Sequence, residues 1–331
     1  MSAIFDNHGR PLNYLRLAVT DRCNLRCFYC MPEEGIHYLP KKELLSFEEI
    51  ERLVRILAPL GISKIRLTGG EPFVRTDLMQ LIKTIVEIPG VNDIHLTTNG
   101  VLIAPHVKEL KNLGIASVNL SMDTLNPDRF RQITRRNDFA AVRNAFYELM
   151  RNEIPVKINC VVMDGKNIED IVALVILTKE FPVSVRFIEE MPFNGEGAHY
   201  SVLNWSFEKI IEYIRFHFPS MVKKMDPQFS TSYNYHIPGH QGDVGVIAAF
   251  SRTFCGTCNR IRVTAQGMLK TCLYDNGVLN IKHLLRASND DEWIKEEMLK
   301  AFHERPRDGF EAEQKRENHL PVSESMSTIG G

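Results

Sequence analysis

Between residues 15 and 218, short β-like runs alternate six times with longer amphipathic runs, and this alternation limits the possible folds more than any single motif. The pattern predicts strands at Leu15–Thr20, Lys64–Thr68, Ile94–Thr97, Ser117–Met122, Val156–Val162 and Ser184–Ile188. Apolar residues at helical spacing predict helices over 46–59, 77–87, 104–112, 138–151, 168–179 and 205–218. Three of these are followed by Gly61, Gly90 and Gly114, which are helix stop signals. Strand–helix alternation of this kind builds a parallel sheet with helices outside. Six units fall short of the eight in a closed barrel. The expected class is therefore α/β, a partial (β/α)6 TIM-like barrel, with an open six-stranded doubly wound sheet as the alternative. After residue 218 the pattern changes. Strands are expected at Tyr233–Ile237, Val244–Phe250 and Arg260–Thr264, and helices near 280–286 and 290–303. These define a smaller C-terminal β-containing unit and a division into 1–218 and 219–331. Residues 304–325 are charged and aperiodic and are expected to form a loop.

The strand interiors add a second constraint. Side chains alternate faces along a strand. Leu15/Leu17/Val19, Ile65/Leu67, Ile94/Leu96, Val118/Leu120, Val156/Ile158 and Val183/Val185/Phe187 therefore face the helices. The opposite face carries Arg16, Lys64, Arg66, Thr97, Asn119, Ser121, Lys157, Asn159 and Arg186. A barrel that binds nothing fills its interior with branched aliphatic side chains. Burying five cations without partners costs many kcal/mol, so this interior must hold water, counter-charge or an anionic ligand. For one residue, a solvated strand face or a nearby carboxylate explains as much. For five cations on six strands it does not.

Composition excludes several classes of partner. Lys and Arg number 40 against 41 Asp and Glu, a net charge of -1, so no general attraction to nucleic acid or anionic membranes is expected. An apolar fraction of 44% and a charged fraction of 24% suit a globular chain with an ample core. The first ten residues lack the apolar stretch of a signal peptide. The longest apolar run, Ile171 to Leu177, is far short of the roughly 20 residues a membrane helix needs. A soluble cytoplasmic protein is expected, with no nucleic acid and no membrane as partner.

In that compartment seven cysteines point to metal ligation or redox chemistry over disulfides. Cys23, Cys27 and Cys30 follow the first strand directly, at the end where parallel α/β folds place their sites. Three thiolates can ligate three irons of a four-iron, four-sulfur cubane and leave the fourth iron open to a ligand that is not protein. Zinc is the alternative, but it wants four ligands, and only His37 lies nearby. Cys255, Cys258 and Cys272 form a second triplet. Here zinc completed by His283 or His240 is the alternative. Arg260 and Arg262 share one strand face beside this triplet; a solvated edge is the alternative, but next to a ligand pocket they are better read as planar donors for nucleobase or phosphate oxygens. Cys160, helix-facing by alternation, is expected to be a small buried apolar residue.

The first triplet together with Thr68-Gly69-Gly70-Glu71-Pro72 after the second strand resembles the radical S-adenosylmethionine superfamily. The resemblance implies that the open iron chelates S-adenosylmethionine and that the Gly-Gly-Glu-Pro backbone around Gly70 receives its ammonium group. It also implies that Tyr29, Ser121 and Met191 make further contacts with that cofactor. The opening Asp21-Arg22-Cys23-Asn24-Leu25-Arg26-Cys27, the run Cys255-Gly256-Thr257-Cys258-Asn259-Arg260-Ile261-Arg262-Val263 and the terminal Ile329-Gly330-Gly331 narrow the likeness. They are similar to the GTP 3′,8-cyclase family of molybdenum cofactor biosynthesis, from about Tyr14 to the last residue. The departures are Glu190, where the family usually has an apolar residue, and Gly256, where a small polar residue or Ala is usual.

This second resemblance implies two 4Fe-4S clusters, with S-adenosylmethionine as cosubstrate and GTP as substrate. It places GTP on Arg16, Lys64, Arg66, Thr97, Lys157 and Arg186, and on Arg260, Ile261 and Arg262 beside the second cluster. It brings Gly330 and Gly331 into the active site, where a missing Cβ lets backbone approach a ligand. One electron from the first cluster would cleave the cofactor to a 5′-deoxyadenosyl radical, which takes hydrogen from ribose C3′. The C3′ radical then attacks guanine C8, and the second cluster reduces the resulting aminyl radical. The implied partners are a one-electron reductant of flavodoxin-like type and a cyclic pyranopterin monophosphate synthase that receives the product; a homodimer is left open.

Overall fold

The computed structural model describes residues 4–191, 193, 203–316 and 325–330. Its centre is a twelve-stranded sheet. The six expected strands are β1 (Tyr14–Ala18), β2 (Lys64–Thr68), β3 (Asp93–Thr98), β4 (Ser117–Ser121), β5 (Val156–Val162) and β6 (Ser184–Glu189). The later half of the chain adds β7 (Val222–Lys223), β8 (Tyr233–His236), β9 (Asp243–Ile247), β10 (Arg260–Val263), β11 (Met268–Lys270) and β12 (Leu279–Asn280). Their order is β12-β11-β10-β1-β2-β3-β4-β5-β6-β9-β8-β7.

The partial barrel is present, and it is wider than six strands. β10 pairs in parallel with β1, and β9 in parallel with β6, so eight strands run the same way before each rim turns antiparallel. Strands from both sides of residue 218 thus share one sheet. The sheet stays open, with β12 and β7 at its two ends.

Alternation works as expected. Leu15, Leu17, Ile65, Leu67, Val118, Leu120, Ile158, Val185 and Phe187 are all fully buried in the main core under the helices. Cys160 is buried among them. The helix Phe47–Leu57 starts at a capping box, Ser46 with Glu49. Helix Asp170–Glu180 packs on β6 and β9. The reading of 304–325 as a loop needs correction: Asp308 caps a helix at Gly309–Gln314 by accepting from the N–H groups of Phe310 and Glu311. An additional helix at Pro127–Thr134 starts from an Asn126 cap with Pro at its first position. A two-residue ribbon, Ile4–Phe5 with Pro11–Leu12, precedes the sheet. No helix among the described residues is long and apolar enough to cross a membrane.

Candidate active site

A cavity of about 450 Å³ lies inside the curved sheet. Arg16, Lys64, Arg66, Thr97, Lys157 and Arg186 all line it, from β1, β2, β3, β5 and β6. Arg260 and Arg262 line it from β10. Register explains the crowding of charge. Arg262 stands opposite Arg16, and Arg16 opposite Arg66, so three guanidinium groups occupy one row across neighbouring parallel strands. Among the described residues no carboxylate pairs with Lys64, Arg66, Lys157, Arg186, Arg260 or Arg262. Arg66 instead donates to the Leu96 carbonyl at 3.2 Å and to Thr97 Oγ1 at 3.4 Å, and it meets the Tyr14 hydroxyl. Nε of Arg186 and Oδ1 of Asn119 and Asn159 have no hydrogen-bond partner among the described residues.

The field of these cations appears in the acidities. Burial and then the Arg186, Arg66 and Lys64 charges bring Lys157 down to about 8. Burial and then Arg66 lower Arg186 to about 10, and burial and then Arg260 do the same to Arg262. Burial alone would raise Tyr14, but the charges of Arg66, Arg16 and Lys64 outweigh it and pull the phenol down to about 7. A wall this cationic is preorganised for a polyanion.

Cys23, Cys27 and Cys30 sit on the loop after β1, and Cys30 lines the cavity. The loop is held on a short base: Cys30 N–H donates to the Cys27 carbonyl at 2.9 Å, and Asn99 reaches Cys23 Sγ at 3.6 Å. Tyr29, Ser121 and Met191 line the same cavity. Tyr29 donates to Asp123 at 2.7 Å, while Asp123 also accepts the Val161 N–H at 2.8 Å. Gly70 does not line the cavity. Its N–H donates to the Thr20 carbonyl at 2.9 Å, and a Cβ there would collide with the Arg22 carbonyl. Its need for glycine is explained by packing beneath the cysteine loop. Glu71 is fully buried and accepts from Thr98 Oγ1, Asn99 N–H and Phe73 N–H, which ties this turn to the end of β3.

Cys255, Cys258 and Cys272 line the same cavity. The Ile261 side chain is in the apolar core, paired with Leu15, so only its backbone lies between the two arginines. The described tail, Ser325 to Gly330, runs from the first cysteine loop to Arg262. Ser325 donates to the Cys30 carbonyl at 2.6 Å, and Arg262 donates to the Gly330 carbonyl at 2.8 Å. Gly330 has φ +75, and a Cβ on it would fall 2.5 Å from Thr68 Oγ1. Gly331 lies outside the described residues.

The donor sets suit iron–sulfur clusters. All six thiols are free of disulfides, and within each set the charges are close enough to perturb one another. Among the described residues no three His, Cys, Asp or Glu converge on a single ion, and a cubane takes one thiolate per iron. Burial raises the Cys23 and Cys272 thiols to about 11, and raises Cys27, Cys30 and Cys255 as well. Ligation there must displace protons. Cys258 differs: burial would raise it, but Arg260 and Arg305 bring it down to about 6.

Tyr14, Asp123 and Arg305 were not picked out from the sequence. Alternation alone places Tyr14 on the cationic face of β1, two residues before Arg16, so it could have been found. Arg305 lies within a charged, aperiodic stretch that gave no such signal.

Residues 17–177 match the Radical SAM superfamily, and residues 183–310 match Molybdenum Cofactor Synthesis C. A GTP 3′,8-cyclase of Syntrophomonas wolfei is 42% identical over 99% of this chain and 100% of its own length. The Alkaliphilus oremlandii GTP 3′,8-cyclase is 40% identical over 98% of this chain and 99% of its own. The Bos taurus molybdenum cofactor biosynthesis protein 1 is 41% identical over 87% of this chain and 45% of its own. In fold, Streptococcus suis SuiB bound to S-adenosylmethionine aligns with a TM-score of 0.60 over 86% of this chain and 67% of that one, at 15% identity. By matched residues and near-complete coverage, the chain belongs to the GTP 3′,8-cyclase family of the radical S-adenosylmethionine superfamily.

Proposed function

We propose that the protein converts GTP to (8S)-3′,8-cyclo-7,8-dihydroguanosine 5′-triphosphate, the first step of molybdenum cofactor biosynthesis, inside this cavity. One observation supports the reading most: thiols of both triplets border one cavity whose walls are cationic. Cys23, Cys27 and Cys30 hold one 4Fe-4S cluster, and Cys255, Cys258 and Cys272 the other. When bound, the clusters and S-adenosylmethionine supply the one-electron chemistry that activates a ribose C–H bond.

The chain's own residues bind and align. Tyr29, Ser121, Met191 and the turn at Gly70 seat the cosubstrate. Arg16, Lys64, Arg66, Lys157 and Arg186, with the Thr97 hydroxyl, take the triphosphate from rigid strands. Arg260, Arg262 and the Ile261 backbone orient the guanine. Gly330 and Gly331 belong to the active site, where a missing Cβ lets backbone approach a ligand. Holding ribose and guanine in one geometry converts an unfavourable ring closure into a step between prealigned atoms. Residues 1–218 carry the cosubstrate side of the chemistry, and 219–331 carry the guanine side. The partners are a flavodoxin-like one-electron reductant and a cyclic pyranopterin monophosphate synthase that takes the product. The setting is the cytoplasm.

Incubation without oxygen, with S-adenosylmethionine, a strong reductant and each nucleoside triphosphate in turn, tests the assignment. Formation of 5′-deoxyadenosine and a cyclised nucleotide with GTP alone is expected. Equal turnover with ATP would overturn the substrate assignment.

A further inference from the structure

Arg305 is 3% exposed and takes no part in the substrate or cosubstrate contacts assigned above. A guanidinium has five N–H donors in a fixed planar fork, and here each has an acceptor. Nε donates to the Thr271 carbonyl at 2.8 Å. Nη1 donates to Asp6 Oδ2 at 3.1 Å and to the Cys258 carbonyl at 2.8 Å. Nη2 donates to the Arg260 carbonyl at 2.9 Å and to Cys258 Sγ at 3.1 Å. One planar group therefore joins Cys258 and Arg260 to the residue preceding Cys272, and directs a charged N–H at a sulfur.

The counter-charge comes from the amino-terminal ribbon. Asp6 is buried, pairs with Arg10 at 2.6 Å as well as with Arg305, and accepts the N–H groups of His8 and Arg10. Arg10 in turn donates to the Cys255 carbonyl at 3.1 Å and the Pro306 carbonyl at 2.8 Å. The potential of an iron–sulfur cluster depends on the charge around it and on hydrogen bonds to its sulfurs. Both act through this one side chain, and both favour the state with the added electron.

We infer that Arg305 is a positioning and tuning residue for the second cluster, raising its reduction potential through a charged hydrogen bond to the Cys258 sulfur, and that Asp6 moderates this effect. The inference rests on the assignment of a cluster to Cys255, Cys258 and Cys272. The test uses the full chain with Cys23, Cys27 and Cys30 replaced by Ala, so that any cluster iron belongs to the second site. Iron content and the midpoint potential are measured by redox titration followed by electron paramagnetic resonance.

Arg305→Met is expected to lower the ratio of reduced to oxidised cluster at a fixed potential about tenfold, a shift of about 59 mV for one electron. Arg305→Lys, which keeps the charge and loses the fork, is expected to shift it less in the same direction. Asp6→Asn, close in shape, is expected to shift it the opposite way. Unchanged midpoints with iron retained would overturn the inference. So would shifts of one sign in all three variants, or loss of iron from all three, since Arg305 would then only build the loop. A parent protein without iron would instead strike down the cluster assignment.

Discussion

Arg262, Arg16 and Arg66 face one another across adjacent strands, with Arg186 and Lys157 opposite. Like charges in an enclosed, partly dehydrated space repel more strongly than in water, so the folded protein carries a penalty that a bound polyanion removes. Arg66→Ala and Arg186→Ala should each weaken GTP binding about tenfold to a hundredfold, the range for loss of a hydrogen bond to a charged group, with iron content unchanged. Calorimetric titration with GTP and an iron assay check both halves. Tyr14 reports the same field. Its phenol is depressed from 10.0 to about 7, so its stabilising contribution is fully present above pH 10 and is lost as pH falls through about 7. Relative to Tyr14→Phe, the parent should gain stability from about pH 7 to 10, and its phenolate absorbance should titrate near 7 without GTP and higher with it. The cations were legible because each sits on a polar strand face between helix-facing aliphatics. Asp123 was not, because its partners Tyr29 and Val161 come from distant parts of the chain.

Elements whose apolar period is regular were legible, and elements that exist only through pairing were not. β1 to β6 read directly from alternation. β11, β12 and β7 are two or three residues long and gain order from their neighbours in the sheet, so no local period reveals them. The helix at Pro127–Thr134 did have a local signal, Asn before Pro, but it falls between a strand and a longer helix that together already complete a unit. The turn after β2 illustrates why a motif and its packing differ. Gly-Gly-Glu-Pro resembles a cofactor contact, and Gly70 is besides pressed against the backbone of the cysteine loop. Gly70→Ala should push that loop away and reduce iron per chain by about half, since the other triplet is untouched. Iron and sulfide analysis of protein handled without oxygen checks this. Gly330→Val should keep all of its iron and lose turnover, because its Cβ would press on Thr68; turnover equal to the parent would remove the tail from the mechanism.

For the whole molecule, the boundary near residue 218 marks a change of sequence pattern that the sheet does not follow. β9 and β10 lie beside β6 and β1 and continue the same parallel run. Long-range pairing of this kind leaves no trace in local periodicity, which is why the later half read as a separate unit. A shared sheet and core should unfold together, so calorimetry should give one cooperative transition; two well-separated transitions would show the halves to be independent. The interior position of β1 has a further consequence during synthesis. It leaves the ribosome long before its outer neighbour, which follows only after residue 259 has been added. In the meantime a row of bare amide and carbonyl groups lies next to the cysteine loop, open to any passing extended chain. Growing or truncated chains should therefore depend on chaperones far more than the finished protein does, and should acquire their iron late.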